Sequence, residues 1–307
     1  MMELHGLVVI DKPVGLTSHD VVQRVRRALR MKRVGHTGTL DPIATGVLVL
    51  CVGKATRLQR FLMARDKEYR ARVRLGFATD TYDATGTPTT PVGDTSRISE
   101  ADLERVLAEF RGEYEQIPPM YSAKKKEGVR LYKLARRGQS VERSPIRVRI
   151  EVLELVEDDG ALLRRFADGT AEFTIRVRCS AGTYVRALAH DIGQRLGCGA
   201  YLHGLVRTAV GEFTLARALP LDAFEALARA GRAAEVLIPL AEALPDLPTL
   251  RLSEPDLQRV RHGQAIPGRG IQQRTYVRLL DDREHLVAVG ESRPERGVIQ
   301  PCVVLEP

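Results

Sequence analysis

Apolar residues recur along this chain in two rhythms, one of period two and one of period 3.6. Leu7–Ile10 and Val47–Val52 are short unbroken apolar runs, which predict buried strands. From Tyr69 to Phe77 the alternation is strict. Tyr69, Ala71, Val73, Leu75 and Phe77 fall on one side, with Arg70, Arg72 and Arg74 opposite. That pattern predicts a half-buried strand with one basic face. Ile146–Val156, Glu172–Cys179 and His203–Leu215 read as further strands. The longer period governs Ser18 to about Met31, where Val21, Val22, Val25, Ala28 and Leu29 share a face and Ser18 is placed to cap. Ser99–Phe110 reads as a second capped helix, and Thr183–Leu196 as a third, stopped by Gly197. Thr87–Arg97, rich in Thr, Pro and Gly, reads as a loop.

Strands and helices do not alternate as β-α-β units. The expectation is an α+β fold with a mixed, largely antiparallel sheet and flanking helices. Near Pro245 and Pro248 the texture changes, which suggests a linker. The division expected is 1–247 and 248–307, the second part being small and β-rich. There, Ser253 caps a short helix to about His262, and strands follow at Thr275–Leu280, Leu286–Glu291 and Val298–Leu305.

Charge narrows the function. Lys and Arg number 47 against 39 Asp and Glu, a net charge of +8 that favours a nucleic-acid partner. Six cations cluster at Arg24, Arg26, Arg27, Arg30, Lys32 and Arg33, with no Arg–Glu pairs at i,i+4 to balance them. No apolar run is long enough to span a membrane and no secretory leader is evident, so a cytoplasmic protein is expected. The cysteines, Cys51, Cys179, Cys198 and Cys302, form no C-x-x-C pair, so neither a zinc site nor a disulfide framework is expected, and buried packing is the default for each. The histidines show no metal spacing, and no metal is expected.

Beside the basic cluster lies Gly35-His36-Thr37-Gly38-Thr39-Leu40-Asp41-Pro42, which sets one carboxylate at the end of a loop of small residues. On its own an Asp-Pro pair reads as a helix start, with Asp as N-cap. The loop has neither a P-loop ending nor a dinucleotide fingerprint, so a nucleotide-triphosphate site is not expected. A lone acid next to a cationic patch suggests chemistry on a polyanion.

Several blocks resemble one family. Lys12-Pro13-x-Gly15-x-Thr17-Ser18 and the loop just described, continued through Ala44-Thr45-Gly46, resemble the TruB family of tRNA pseudouridine synthases. So do Lys67-x-Tyr69, Thr79-Asp80-Thr81-x-Asp83, Pro118-Pro119-x-Tyr121-Ser122-Ala123, Gly182-Thr183-Tyr184-Val185-Arg186 and Leu196-Gly197-Cys198-Gly199-Ala200. The C-terminal part resembles that family's PUA RNA-binding module. The resemblance spans essentially the whole chain, with the blocks in the family's order.

It implies isomerisation of the T-loop uridine of elongator tRNAs (position 55 in tRNA numbering) to pseudouridine, with base flipping and without a cofactor. Asp41 matches the essential aspartate, as nucleophile on the sugar or base or as base on the ribose. Arg186 matches the arginine that pairs with it, and Tyr69 the tyrosine that stacks on the uracil. On strand pattern alone Tyr69 reads as core, and on helix pattern alone Arg186 reads as solvated. His36 matches the residue that fills the flipped base's place. Tyr184 and Leu205 match the base pocket, and Lys12 matches a segment supporting the loop and is counted with the substrate-binding set. Arg24, Arg27, Arg30, Lys124 and Lys125 are expected, by charge, to contact phosphates. Ala181 stands where the family usually has lysine. The expected partner is the T stem-loop of tRNA, met by a monomer without guide RNA. The alternatives are a non-catalytic tRNA-binding or folding protein and a guide-RNA-dependent synthase.

Overall fold

The computed structural model describes residues 3–121, 125–126, 129–130 and 141–305. An eleven-stranded sheet carries the first part of the chain. Its strands are β1 (Gly6–Lys12), β2 (Val34–His36), β3 (Ala44–Val52), β4 (Lys67–Leu75) and β5 (Gly112–Gln116). The short pair β6 (Lys125–Lys126) and β7 (Val129–Arg130) stands apart. The sheet continues with β8 (Ile146–Val156), β9 (Leu163–Arg165), β10 (Ala171–Cys179), β11 (Ala200–Val210), β12 (Phe213–Thr214) and β13 (Leu219–Pro220). The main path runs β13-β1-β3-β11-β4-β10-β8-β5. Among the described residues of this sheet, only β1–β13 and β3–β11 pair in parallel; the other strand pairings are antiparallel. The fold is α+β with a mixed, largely antiparallel sheet.

Helix α1 (Ser18–Leu29) lays Val21, Val22 and Val25 on β1 and β3. Its N-cap is Thr17 rather than Ser18. Thr17 and Asp20 form a reciprocal capping box, worth about 1 kcal/mol. That frees Ser18, which is buried, for another task described below. α2 (Gln59–Met63) follows β3. α3 (Glu100–Glu109), capped by Ser99 and Asp102, and α4 (Val185–Leu196) cover the other end of the sheet, where α3 and α4 pack together with β4, β8, β10 and β11. α5 (Leu221–Arg229) was not expected from the sequence. It packs on α1 and supplies acids to one of its arginines: Arg24 meets Asp222 and Glu225, the latter at 2.7 Å.

The basic face of β4 is offset likewise. Arg70 reaches Asp158 and Arg74 reaches Asp168 and Glu172. Phe77 lies beyond the strand, after Gly76 at φ +124°, and its ring meets Tyr201. β11 ends at Val210, earlier than expected, because Gly211 (φ +52°) turns the chain into β12.

The second sheet has five strands in the order β14-β16-β17-β18-β15, namely β14 (Thr249–Arg251), β15 (Ile266–Pro267), β16 (Tyr276–Leu280), β17 (Leu286–Arg293) and β18 (Val298–Val304). α6 (Glu254–Arg261) packs against it. Leu280, Leu286, Val289, Val303 and Leu305 join a cluster with Val47, Val49 and Phe213, so the two sheets share apolar surface. Cys51, Cys179 and Cys198 are buried, but Cys302, on β18, is exposed. No helix among the described residues is long and apolar enough to cross a membrane.

Candidate active site

The loop between β2 and β3 is fastened from several sides. Ser18 clamps Leu40: its Oγ accepts from the Leu40 amide at 2.8 Å and donates to the Leu40 carbonyl at 3.2 Å. Gly15 donates to the Pro42 carbonyl at 2.8 Å. Asp41-Pro42 starts no helix. The Ala44 amide donates to the Asp41 carbonyl at 3.0 Å, closing a turn that enters β3 directly. Arg207 of β11, fully buried, donates to the carbonyls of Val47 (2.7 Å) and Gly38 (3.1 Å), bracing the loop from below.

Asp41 is thereby aimed at Arg186, the second residue of α4. The Asp41 Oδ2 to Arg186 Nε distance is 2.9 Å. Arg186 is 4% exposed, not solvated as its helix alone suggested. Its Nη1 donates to the Thr81 carbonyl (3.0 Å) and faces Asp83 Oδ2 (3.2 Å); its Nη2 donates to the Tyr121 carbonyl at 2.7 Å. The other oxygen of Asp83 accepts from the hydroxyls of Thr81 (2.8 Å) and Thr85 (2.6 Å). A guanidinium buried this deeply needs such a full set of partners. The start of α4 is held by Gln116, whose side chain bonds both the amide and the carbonyl of Tyr184.

Asp41 and Arg186 open onto a cleft of about 320 Å³. Thr37 to Asp41, Met63, Lys67, Tyr69, Thr183 to Arg186, Leu205 and Arg207 are among the residues that line it. The register explains the convergence. Leu205 pairs with Ala44 and Arg207 with Gly46 across β11–β3, while Arg207 also faces Tyr69 across β11–β4. Tyr69 is 8% exposed, at once core and cleft wall. Burial pushes its phenol up, against the pull of Arg207, so it stays neutral near pH 7.

About a third of the Asp41 side chain is open to the cleft (36%). The surrounding protein still raises its carboxyl above the ordinary range; Arg186 opposes this and Asp83 adds to it. Burial likewise lowers Lys67 to about 8, with nearby Arg207 adding to the effect. Its Nζ donates to the carbonyls of Met63 and Arg65. Among the described residues no three His, Cys, Asp or Glu are gathered to hold a metal ion.

The family described as "TruB family pseudouridylate synthase (N terminal domain)" matches residues 26–185, more than half of the chain. The chain belongs to the TruB family. Two C-terminal families of the same enzymes match residues 186–245 and 248–305. The chain is 44% identical to tRNA pseudouridine synthase B of Solibacter usitatus, over 94% of this chain and 96% of that one. It is 46% identical to the protein of the same name from Geobacter sulfurreducens, over 94% of each. Among solved structures it resembles a chain of an H/ACA RNP bound to a substrate RNA containing 2'-deoxyuridine. There the TM-score is 0.72 and the identity 25%, over 98% of this chain and 85% of that one.

In this TruB-family chain Asp41, Tyr69, Arg186, Tyr184 and Leu205 all come to one cleft. His36 does not line it. It ends β2 behind the loop, its Nδ1 accepting from the Gly38 amide at 3.3 Å, and burial lowers its pKa. Lys12 needs correcting as a substrate contact. It is fully buried, and its Nζ donates to the carbonyls of Pro13 (2.9 Å) and Leu16 (2.7 Å). It fixes the segment that carries Gly15 to the loop, and burial lowers it to about 8.

Arg24, expected to contact phosphate, is paired with two carboxylates in this structure. Arg27 and Arg30 are exposed. Lys125 lies in β6, and Lys124 falls outside the described residues. Asp83, Arg207, Lys67 and Thr37 were not singled out from the sequence as site residues. Asp83 stood in a recognised block, but Arg207 carried no signal beyond one polar position in a strand.

Proposed function

We propose that this protein isomerises the T-loop uridine (position 55 in tRNA numbering) of elongator tRNAs to pseudouridine, as a stand-alone cytoplasmic monomer that needs no guide RNA. The observation that carries the reading is the Asp41–Arg186 pair, 2.9 Å apart, opening with Tyr69 onto one cleft. The relatives named tRNA pseudouridine synthase B support tRNA as the substrate. They also match this chain over nearly their full length, which supports action without a ribonucleoprotein scaffold.

The reaction breaks the bond from N1 to the ribose C1', turns the uracil, and joins C5 to C1'. The C5 proton is lost and N1 gains one, so product and substrate are isomers and no external donor is consumed. Ionised Asp41 serves as the nucleophile on sugar or base, or as the base on the ribose. Arg186 favours its charged form and fixes its direction. Tyr69, neutral and lining the cleft, offers its ring for stacking to the flipped uracil, with Tyr184 and Leu205 lining the same cleft.

The test uses purified protein and an unmodified elongator tRNA transcript with no other RNA present. Pseudouridine mapped to the T-loop position, and lost when that uridine is replaced by cytidine, is the expected result. Product elsewhere in the transcript, or product only after another RNA is added, would overturn the proposal.

A further inference from the structure

The turn that delivers Asp83 to Arg186 contains a bulky residue in an unfavourable conformation. Tyr82 has φ +64°, the left-handed region that glycine and asparagine enter easily and tyrosine does not. Such a residue persists where its surroundings over-determine it, and points to a role for the strained turn. Tyr82 sits between the two groups that hold the Arg186 Nη1: the carbonyl of Thr81 before it and the carboxylate of Asp83 after it.

Beyond its bonds to Arg186, the turn is attached in two further ways. One is to the sheet: the Leu202 amide donates to the Tyr82 carbonyl at 3.0 Å, and the Ala84 amide to the Leu202 carbonyl at 2.9 Å. The other is to α4. The Tyr82 ring lies flat on the ring of His190, with centroids 3.9 Å apart and planes 15° apart. His190 is four residues beyond Arg186 in α4, and so on the same side of the helix, one turn along. Its Nδ1 is buried without a hydrogen-bond partner, so no polar contact at that atom accounts for its place; the ring face does.

We propose that Tyr82 and His190 are positioning residues for this reaction. Their stack fixes the Asp83 turn against α4 and so sets the angle at which Arg186 meets Asp41. β11 ties the turn to the sheet through Leu202, and the stack is a tie to α4 that does not pass through Arg186 itself. The inference rests on the isomerase reading for its kinetic part, and one readout below does not.

Tyr82→Leu and His190→Leu each remove the stack while keeping apolar bulk. Tyr82→Phe keeps the stack. In single-turnover assays on tRNA, each leucine variant lowers the rate by on the order of ten- to a hundredfold, with the Kd for tRNA within about threefold of wild type. The acid limb of the rate moves to higher pH, because Asp41, which Lys12 and Asp83 also face, loses the opposing influence of a well-aimed Arg186. Tyr82→Phe restores most of the rate and the limb.

Independently of turnover, hydrogen exchange at the Arg186 Nε–H, followed by 15N NMR, is slow in wild type and Tyr82→Phe and markedly faster in the leucine variants. Two leucine positions guard against one variant that does not fold, which thermal melting would reveal. Wild-type rate, limb and exchange in a folded leucine variant would overturn the proposal, as would equal losses in Tyr82→Phe and Tyr82→Leu. A wild-type protein that isomerises no tRNA defeats the isomerase reading instead, and the exchange experiment still decides the stack.

Discussion

At the residue scale, the site holds a carboxylate where burial opposes its charge and one guanidinium supports it. The balance raises Asp41 above its ordinary value, which for aspartate is about 3.9. The sign of the consequence follows. A carboxyl raised in the folded state is most stabilising when protonated, and that contribution is lost as pH rises through its folded pKa. The proposed mechanism uses the ionised form. Single-turnover rates should therefore fall on acidification, with a midpoint above about 3.9, and Asp41→Asn should melt no lower than wild type at pH 7. A midpoint at or below the free value, or a clearly lowered Tm in Asp41→Asn, would contradict the assignment. The sequence made Asp41, Tyr69 and Arg186 legible through their blocks. It did not make Arg207 legible, because a cation buried under the loop is recognised only once β3, β4 and β11 are in register. Lys12 was read both as loop support and with the substrate-binding set; its burial and its bonds to two carbonyls agree with the first.

At the element scale, the site is made where the parallel pairing of β3 and β11 meets the start of α4. Gly46 is central to that junction. Its φ is +97°, and a Cβ there would lie 2.3 Å from the Arg207 carbonyl oxygen, a backbone atom that cannot step aside. Gly46→Ala should therefore destabilise the fold by on the order of 3 kcal/mol, read by urea unfolding, and should loosen the loop that Arg207 braces. A loss within about 0.5 kcal/mol would show that the strands separate easily. The periodic elements were legible: the alternation of β4 and the helical face of α1 both emerged as their patterns implied. α5 was not, since its role is to pack on α1 and neutralise Arg24. The cap of α1 was misplaced by one residue because Thr17 and Ser18 are equally good caps in sequence. Only the tertiary clamp on Leu40 separates them.

At the scale of the whole molecule, two sheets share one apolar cluster, and the net charge is +8. Much of the basic surface is internally paired, as for Arg24, Arg70 and Arg74. The unpaired excess should still set tRNA affinity through phosphate contacts. The Kd for tRNA should then rise steeply with salt, log K falling by about 0.7–0.9 per phosphate contact, while the rate of the bound complex at saturation changes little. A salt-independent affinity would contradict this. The most direct test of the central claim is tritium release from C5-labelled uridine in an unmodified tRNA transcript, with wild type and Asp41→Asn side by side. The account predicts release by wild type alone, with both proteins binding the transcript to within about threefold. Release by Asp41→Asn at the wild-type rate, or none from either protein despite tight binding, would contradict it.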